Sequence, residues 1–166
     1  MKYCIECGSK LELKPLAGEG LVPYCPQCQS FRFPVFNTAV SMVVLTEEKD
    51  NALLIEQYGR EGFILVAGYV NKGESAEQTV KRELKEETGL DAFDLKFNKS
   101  EYFEKSNTLM LNFSCCVKDI ESMQTNHEID HAEWFSIEQA RKNIRPGSLA
   151  QRFFEAWYAS HIDVIT

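Results

Sequence analysis

The chain has 166 residues, a formal net charge of −7 and 44% hydrophobic residues. This length predicts one main domain with room for a small accessory module, and the composition is that of a folded protein. The acidic surface excludes a general attraction for nucleic acid or anionic membrane, so an anionic substrate needs a local device such as a bound divalent cation.

Two Cys-x2-Cys pairs open the chain, Cys4 with Cys7 and Cys25 with Cys28. Each pair can supply two thiolates from a tight turn, and two such turns complete the tetrahedron that Zn²⁺ prefers. Four thiolates leave no open coordination position, so the pattern predicts a structural zinc ribbon over residues 1–33. Disulfides or unrelated cysteines are the alternative.

The rest of the chain alternates strand and helix patterns, which indicates an α/β or α+β sandwich. A linker is expected over residues 31–37, and a hairpin over 39–57. Cys115 and Cys116 lie in an apolar run and are expected to be core residues. The predicted strands are 39–45, 52–57, 63–70, 95–103, 109–117 and 131–135, and the predicted helices are 75–88, 137–142 and 149–161.

An acidic run lies on the first predicted helix, which Ser75 caps with Gln78 as its capping-box partner. At 100° per residue, Glu83 and Glu87 share a face beside the buried stripe, where they repel each other unless a cation lies between them. Glu86 is expected to pair with Arg82. A solvated charged face is the alternative.

The strand that precedes this helix ends in a tight loop between Gly68 and Gly73, which can bring backbone carbonyls to the same carboxylates. Hard oxygen ligands of this kind suit Mg²⁺ or Mn²⁺, which in turn bind phosphate oxygens. The loop therefore favours a metal site over a solvated face.

Gly68, Glu74 and the run Arg82–Leu90 match the Nudix box, G-x5-E-x7-R-E-U-x-E-E-x-G-U, at all nine of its defined positions. The chain therefore resembles a Nudix hydrolase. The resemblance implies an α/β/α sandwich with a mixed sheet, and metal-dependent hydrolysis of a nucleoside diphosphate linked to another moiety. With the four-cysteine ribbon ahead of it, the whole resembles the NADH pyrophosphatase family, with a zinc ribbon at 1–33 and a Nudix domain at 34–166.

Segments outside the box extend this resemblance. They are Phe33-Pro34, Ala67-Gly68-Tyr69-Val70, Glu128-Ile129 ahead of Ala132–Phe135, and Pro146–Ala150 leading to Arg152. The resemblance implies a catalytic Mg²⁺ or Mn²⁺ site formed by Glu83, Glu87, Glu128 and the carbonyl of Ala67.

The remaining candidate residues take supporting roles. Glu86 is a second-rank ligand or general base, and Glu74 stabilises the loop-to-helix turn. Tyr69 could stack on a flat ring, or be a packed strand-end tyrosine. The full set that supports the box is Gly68, Glu74, Arg82 and Gly89, and the expected substrate contacts are Phe33, Gly68, Tyr69, Phe103, Thr108 and Ala150.

One departure concerns the family's NADH signature, S-Q-P-W-P-F-P-x-S. The corresponding stretch is Ser100–Thr108, in which Phe103 replaces Trp, Thr108 replaces the last Ser, and all three prolines are absent. Because proline fixes the backbone, this loop is expected to follow a different path. The chemistry is therefore better determined than the substrate.

Three functions follow. The first is a pyrophosphohydrolase acting on NAD(H), ADP-ribose, FAD or a relative. The second is removal of a nucleotide cap from RNA, weakened by the few basic residues of the ribbon. The third is a nucleotide-sensing module with a retired active site, against which the intact box argues.

The expected partners and location follow from the same sequence. The resemblance implies a homodimer and a small nucleotide-derived substrate. Residues 1–10 lack the apolar core of a signal peptide, and the longest apolar runs are too short to span a membrane. We therefore expect a cytoplasmic location and no membrane partner.

Overall fold

The computed structural model describes residues 1–165, and side chains through His161. It contains two compact units, Met1–Phe36 and the remainder from Asn37 onward. The division follows Phe36, whereas the sequence places the domain boundary at residues 33 and 34, and that boundary stays a prediction. Within the described residues, no helix is both long and apolar enough to cross a membrane.

The first unit contains a three-stranded antiparallel sheet with strands β1 (Glu12–Leu16), β2 (Gly20–Cys25) and β3 (Ser30–Phe31). Phe31 pairs with Tyr24 across β2 and β3, and their rings meet edge to face with centroids 5.1 Å apart. The linker expected over residues 31–37 is therefore wrong at both ends, because Phe31 belongs to β3 and Asn37 begins the next strand.

The second unit is built on a mixed six-stranded sheet. Its path runs β7-β8-β4-β5-β9, and β6 pairs with β4. Strands β4 and β8 are parallel, and the other pairs are antiparallel. The strands are β4 (Asn37–Thr46), β5 (Asn51–Gln57), β6 (Val66–Tyr69), β7 (Phe93–Phe103), β8 (Thr108–Val117) and β9 (Ile129–Ser136).

Helices cover both faces of this sheet. Alternate β4 residues point to opposite sides, so Val44 packs with Leu84 of α1 while Val43 packs with Phe153 of α3. The helices are α1 (Ala76–Thr88), α2 (Ile137–Asn143) and α3 (Leu149–Ile165). The expected α/β/α sandwich with a mixed sheet is confirmed, and Cys115 and Cys116 are buried as predicted.

The strand predicted over residues 63–70 is shorter than expected. Phe63 makes an isolated bridge to Ile144 and Ile64 makes one to Ile55, whereas the continuous strand covers only Val66–Tyr69 and pairs with β4. The apolar run changes its pairing partner midway, so one run of strand-forming residues gives two bridges and a short strand.

Candidate active site

Helix α1 is positioned by caps that the sequence predicts. The Ser75 side chain accepts a hydrogen bond from Gln78 N, and the Gln78 side chain accepts one from Ser75 N. The capping box is therefore confirmed. At the other end Gly89 adopts a left-handed conformation (φ 73°) and donates its N–H to Lys85 O, which ends the helix there.

The side chain of Glu83 lies directly against β6. A Cβ added at Gly68 would overlap the carboxyl carbon of Glu83, so only glycine leaves room for this approach. The neighbouring residue, Ala67, pairs with Ser41 of β4. The carboxylate of Glu83 is thereby held beside the β6 backbone, next to the residue whose carbonyl the family resemblance implies as a ligand.

Arg82 organises the acidic residues on the loop side of α1. Its Nε donates to Glu74 Oε1 (2.6 Å), and its Nη1 donates to Glu83 Oε1 (2.8 Å) and Glu86 Oε2 (3.1 Å). Its Nη2 donates to the carbonyl of Tyr69 (3.0 Å). The expected pairing with Glu86 is confirmed, but the same guanidinium also links the box loop, β6 and the helix.

Glu74 is the firmest anchor of this network. Its carboxylate accepts hydrogen bonds from Arg82, the Asn71 amide (3.1 Å) and the Thr79 hydroxyl (3.0 Å). The Arg82 hydrogen bond comes first among the causes that lower the pKa of Glu74 to about 2. Glu74 therefore stays ionised and ties the loop to the first turn of the helix.

Glu87 is the most deeply buried of the candidate ligands, with 4% of its surface exposed. Burial, and then the charges of Glu83 and Glu128, raise its pKa to about 8. Burial also raises the pKa of Glu83, against the opposing effect of Arg82. Gln57 Nε2 donates to Glu87 Oε2 (3.1 Å), the one hydrogen bond shown to this carboxylate among the described residues.

Glu128 approaches from the segment before β9. Tyr58 Oη donates to Glu128 Oε2 (2.9 Å), and Glu128 N donates to Asn126 Oδ1 (2.9 Å). The amide of Asn126 in turn donates to the carbonyl of Glu87 (3.0 Å). The loop that carries Glu128 is therefore tied to the C-terminal turn of α1, which brings the third carboxylate to the other two.

Sequence reasoning missed Gln57 and Tyr58. Gln57 is a polar residue on the inward face of β5, in alternation with Leu53 and Ile55, and a polar residue at such a position is a usable signal. Tyr58 follows it with a left-handed backbone (φ 57°), which is uncommon for an aromatic residue and which no sequence pattern indicated.

The three candidate ligands lie within electrostatic reach of one another, but their carboxylate oxygens are not in mutual contact. Among the described residues, the only group of three or more side chains with ligand atoms within 4.8 Å of one another is the cysteine set. Glu83 is instead held by Arg82, Glu87 by Gln57, and Glu128 by Tyr58. Three carboxylates, of which Glu87 is buried, nevertheless fit a hard divalent cation, because Arg82 is the one cation hydrogen-bonded to any of them among the described residues.

A cavity of about 780 Å³ lies in the second unit. Three predicted site residues line it: Ala67, Phe103 and Ala150. Tyr69 is exposed, whereas Thr108 is buried and donates its hydroxyl to the Ser106 carbonyl (3.0 Å). Phe33 lies in the first unit and is exposed. The substrate contacts of these last three residues stay predictions.

The four N-terminal cysteines come together as the spacing predicts. Their sulfurs lie within 4.8 Å of one another, with Cys4 and Cys28 at 3.9 Å and Cys7 and Cys25 at 3.5 Å. A tetrahedron with Zn–S bonds of about 2.3 Å has sulfurs about 3.8 Å apart. The four thiols therefore fit a structural zinc ion.

The pKa values of the Cys4 and Cys28 thiols are shifted in opposite directions. Arg32 Nε donates to Cys4 Sγ (3.3 Å) and lowers the pKa of Cys4 to about 6, whereas hydrogen bonds with Cys7 and then Cys25 raise the pKa of Cys28 to about 12. Four sulfurs at this spacing cannot all be thiolates without a cation among them, which agrees with the metal fit.

Comparison with known proteins decides the family. The NUDIX domain model matches residues 35–157. The chain belongs to the Nudix family. The resemblance that rested on the box is thereby confirmed.

The curated relatives support the NADH pyrophosphatase type. The NAD-capped RNA hydrolase NudC of Stutzerimonas stutzeri is 31% identical over 163 residues, which cover 97% of this chain and 57% of the relative. Nudix hydrolase 19, chloroplastic, of Arabidopsis thaliana is 31% identical over 150 residues, covering 86% and 34%. The chain thus spans about half the length of the NudC relatives it matches.

Solved structures agree on the fold. A NUDIX hydrolase from Nitrosomonas europaea superposes with a TM-score of 0.64 at 18% identity, covering 99% of this chain and 93% of that one. The NUDIX domain of Shewanella oneidensis NrtR, solved with ADP ribose, gives a TM-score of 0.64 at 15% identity, covering 82% and 93%. At these identities the likeness concerns the fold alone.

Proposed function

We propose that the chain is a divalent-metal-dependent Nudix pyrophosphohydrolase that cleaves the diphosphate of a nucleoside diphosphate linked to a second moiety. The observation that carries this proposal is that Glu83 and Glu87 lie one turn apart on α1, and that Glu128 is tied to the end of the same helix through Asn126. Each comes from a different turn or segment, and each is fixed by a hydrogen bond. Burying Glu87 near the charges of two further carboxylates is costly for folding alone, so a cation-binding role accounts for it.

Glu83, Glu87, Glu128 and the carbonyl of Ala67 would hold the metal. Bound Mg²⁺ or Mn²⁺ supplies charge neutralisation for the diphosphate and activation of water. The protein's own part is positioning. Arg82 fixes the direction of Glu83, and Tyr58 fixes that of Glu128, so both carboxylates are oriented before substrate binds.

Glu86 is the group best placed to accept a proton from the attacking water. It is exposed, unlike Glu87, and Arg82 Nη1 holds one of its oxygens (3.1 Å) while the other carries no hydrogen bond among the described residues. A carboxylate that is both accessible and oriented meets the geometric requirement for a general base.

The substrate is proposed to be of the NAD(H), ADP-ribose or FAD type. The cavity that Ala67 and Phe103 line is of the size that holds a nucleotide-sized ligand. Since Ala67 would contribute a metal ligand, the diphosphate and the adjoining nucleoside would occupy neighbouring positions. The NudC relatives are NAD-capped RNA hydrolases by name, which favours the same class.

Removal of an NAD-type cap from RNA is a second candidate, and those relatives are named for this activity. The net charge of −7 opposes nonspecific RNA binding. Salt-sensitive binding of capped RNA, compared with binding of free NAD, separates cap removal from hydrolysis of a small substrate.

The retired sensor is the third candidate, and absence of metal-dependent turnover of every substrate would favour it.

Structural Zn²⁺ at the four cysteines and a homodimer complete the proposal. The sulfur geometry supports the first. The second rests on resemblance and is tested by light scattering.

The deciding experiment is incubation of the purified chain with NADH, NAD, ADP-ribose, FAD and diadenosine polyphosphates, with Mg²⁺ or Mn²⁺, followed by product identification. The proposal expects metal-dependent release of a mononucleotide from at least one of them. A folded, zinc-loaded chain that cleaves none of them contradicts it.

A further inference from the structure

The arginines fall into two groups, those with a carboxylate partner and those without one. The sequence contains six, and four of them form an ion pair with a carboxylate in the structure. Among the described residues, Arg60 and Arg145 have no carboxylate within 4.0 Å, and both line the 780 Å³ cavity. The paired arginines are Arg32, Arg82, Arg141 and Arg152.

Lys105 adds a third cation to the same cavity, again with no ion pair among the described residues. Two carboxylates also line the cavity, and one of them, Glu101, is already paired with Arg152 (Nε to Oε1, 3.0 Å). The remaining charged residues of the lining are then three cations, Arg60, Lys105 and Arg145, and one carboxylate, Glu104. A cavity with an excess of positive charge is unexpected in a chain with a net charge of −7.

The backbone near Arg60 and Arg145 holds them at neighbouring positions. The amide of Arg145 donates to the carbonyl of Phe63 (2.8 Å), and a Cβ on Gly62 would lie 3.3 Å from the Arg145 Cβ. The stem of Arg145 therefore packs over Gly62, two residues beyond Arg60. The nearby carboxylate of Glu56 is already engaged, since it accepts from Gly62 N (2.7 Å).

We propose that Arg60, Lys105 and Arg145 bind a phosphate group carried on the ribose of the substrate, in addition to the diphosphate that is cleaved. This rests on the proposed function, and it names the substrate class as a nucleoside diphosphate compound with a 2′- or 3′-phosphate. Bases are neutral and the diphosphate is assigned to the carboxylate-bound metal, so a further anion on the substrate is the group that these unpaired cations would recognise. Arginine is the residue best suited to bind phosphate through two parallel hydrogen bonds.

Binding of three mononucleotides to the full chain tests this without any hydrolysis. The ligands are AMP, adenosine 2′,5′-bisphosphate and adenosine 3′,5′-bisphosphate, measured by titration calorimetry with Mg²⁺ present. The proposal expects one bisphosphate to bind at least about tenfold more tightly than AMP. The bisphosphate that binds more tightly shows which ribose oxygen carries the phosphate. Equal affinity for all three ligands, or no binding of any, overturns the proposal.

Variants then assign the effect to these side chains. Arg60→Gln combined with Arg145→Gln is expected to reduce the bisphosphate-to-AMP affinity ratio toward one. Lys142→Gln removes an exposed charge of the same sign that does not line the cavity, and it should keep the full ratio. Equal loss in both proteins overturns the assignment. If the double variant does not fold, as judged by circular dichroism, the single variants and the wild-type ratio still decide.

Turnover assays run beside this binding experiment distinguish the proposal from the function on which it rests. Tight bisphosphate binding without turnover of any diphosphate compound would reject the hydrolase and keep the phosphate site. Turnover with equal kcat/KM for NADH and NADPH, and for coenzyme A and its 3′-dephospho form, would keep the hydrolase and reject the phosphate site.

Discussion

Gly68 and Glu83 occupy adjoining space: the carboxyl group of Glu83 lies where a side chain on residue 68 would begin. Strand β6 and helix α1 are therefore fitted together at the position where the proposed carbonyl and carboxylate ligands meet. This relationship gives a physical reason for the first glycine of the box, which is close approach and not a left-handed backbone.

Gly68→Ala is expected to destabilise the protein by about 1–3 kcal/mol, because the new methyl group forces Glu83 or β6 to move. The same change made in a Glu83→Ala background should cost clearly less, since the overlapping carboxyl group is gone. Chemical denaturation of the four proteins measures the coupling. Equal costs in both backgrounds would show that the two residues are not in conflict.

Glu87→Gln is expected to abolish hydrolysis and yet stabilise the metal-free protein above neutral pH. Burial raises the pKa of Glu87 to about 8, so the folded state binds a proton more tightly than the unfolded state, and this carboxylate lowers stability as pH rises from about 4.5 through about 8. The variant should therefore be more stable than wild type at pH 9, by an amount on the order of a few kcal/mol, and equal to it near pH 4.

The control for this change is Glu86→Gln. Glu86 is exposed on the same helix and pairs with Arg82, so its substitution should bring no gain in stability. Denaturant unfolding in the presence of a chelator, at the two pH values, measures both variants. A Glu87→Gln protein that gains no stability at pH 9 would contradict the assigned burial penalty.

Tyr58→Phe removes the hydroxyl that donates to Glu128 Oε2 (2.9 Å). We expect the Mg²⁺ concentration for half-maximal activity to rise several-fold, roughly in line with the loss of one hydrogen bond to a charged group. Global stability should change little, because Tyr58 is 65% exposed.

Tyr158→Phe is a matched control for Tyr58→Phe. Tyr158 donates its hydroxyl to Glu138 Oε1 (2.6 Å), a contact between α3 and α2 that involves none of the proposed ligands. Its metal dependence should equal that of wild type. A similar rise in both variants would point to a general effect of losing a tyrosine hydroxyl.

The zinc site predicts one tightly bound zinc ion per chain, measured by elemental analysis. Cys7→Ser should lose the zinc ion, and the first unit should unfold, since short segments of this kind depend on the metal for folding. Cys116→Ser, in the buried strand β8, should retain full zinc content. Zinc loss in both variants, or none in Cys7→Ser, would contradict the assignment.

The sequence was sufficient where local chemistry decides the structure. Ser75 and Gln78 defined the start of α1, and helical pitch placed Glu83 and Glu87 on one face, both because these are interactions within a few residues. The cysteine spacing likewise predicted a set of sulfurs that the structure brings together.

Prediction failed where distant segments meet. The pairing of Phe63 with Ile144 depends on the end of α2, and the contact of Tyr58 with Glu128 joins residues 70 positions apart. No periodicity encodes such contacts. Arg82 shows the same limit, because helical spacing predicted one partner, Glu86, and the fold adds Glu74, Glu83 and the Tyr69 carbonyl.

The central claim is that Glu83 and Glu87 help to hold a divalent cation, and that the chain needs this cation to hydrolyse a diphosphate. Product identification from ADP-ribose and NADH, with and without Mg²⁺ or Mn²⁺, tests it most directly when wild type is run beside Glu83→Gln/Glu87→Gln. The account predicts metal-dependent AMP release by wild type and at least about a hundredfold less by the double variant. Turnover that is unaffected by chelation, or equal in the two proteins, would contradict it.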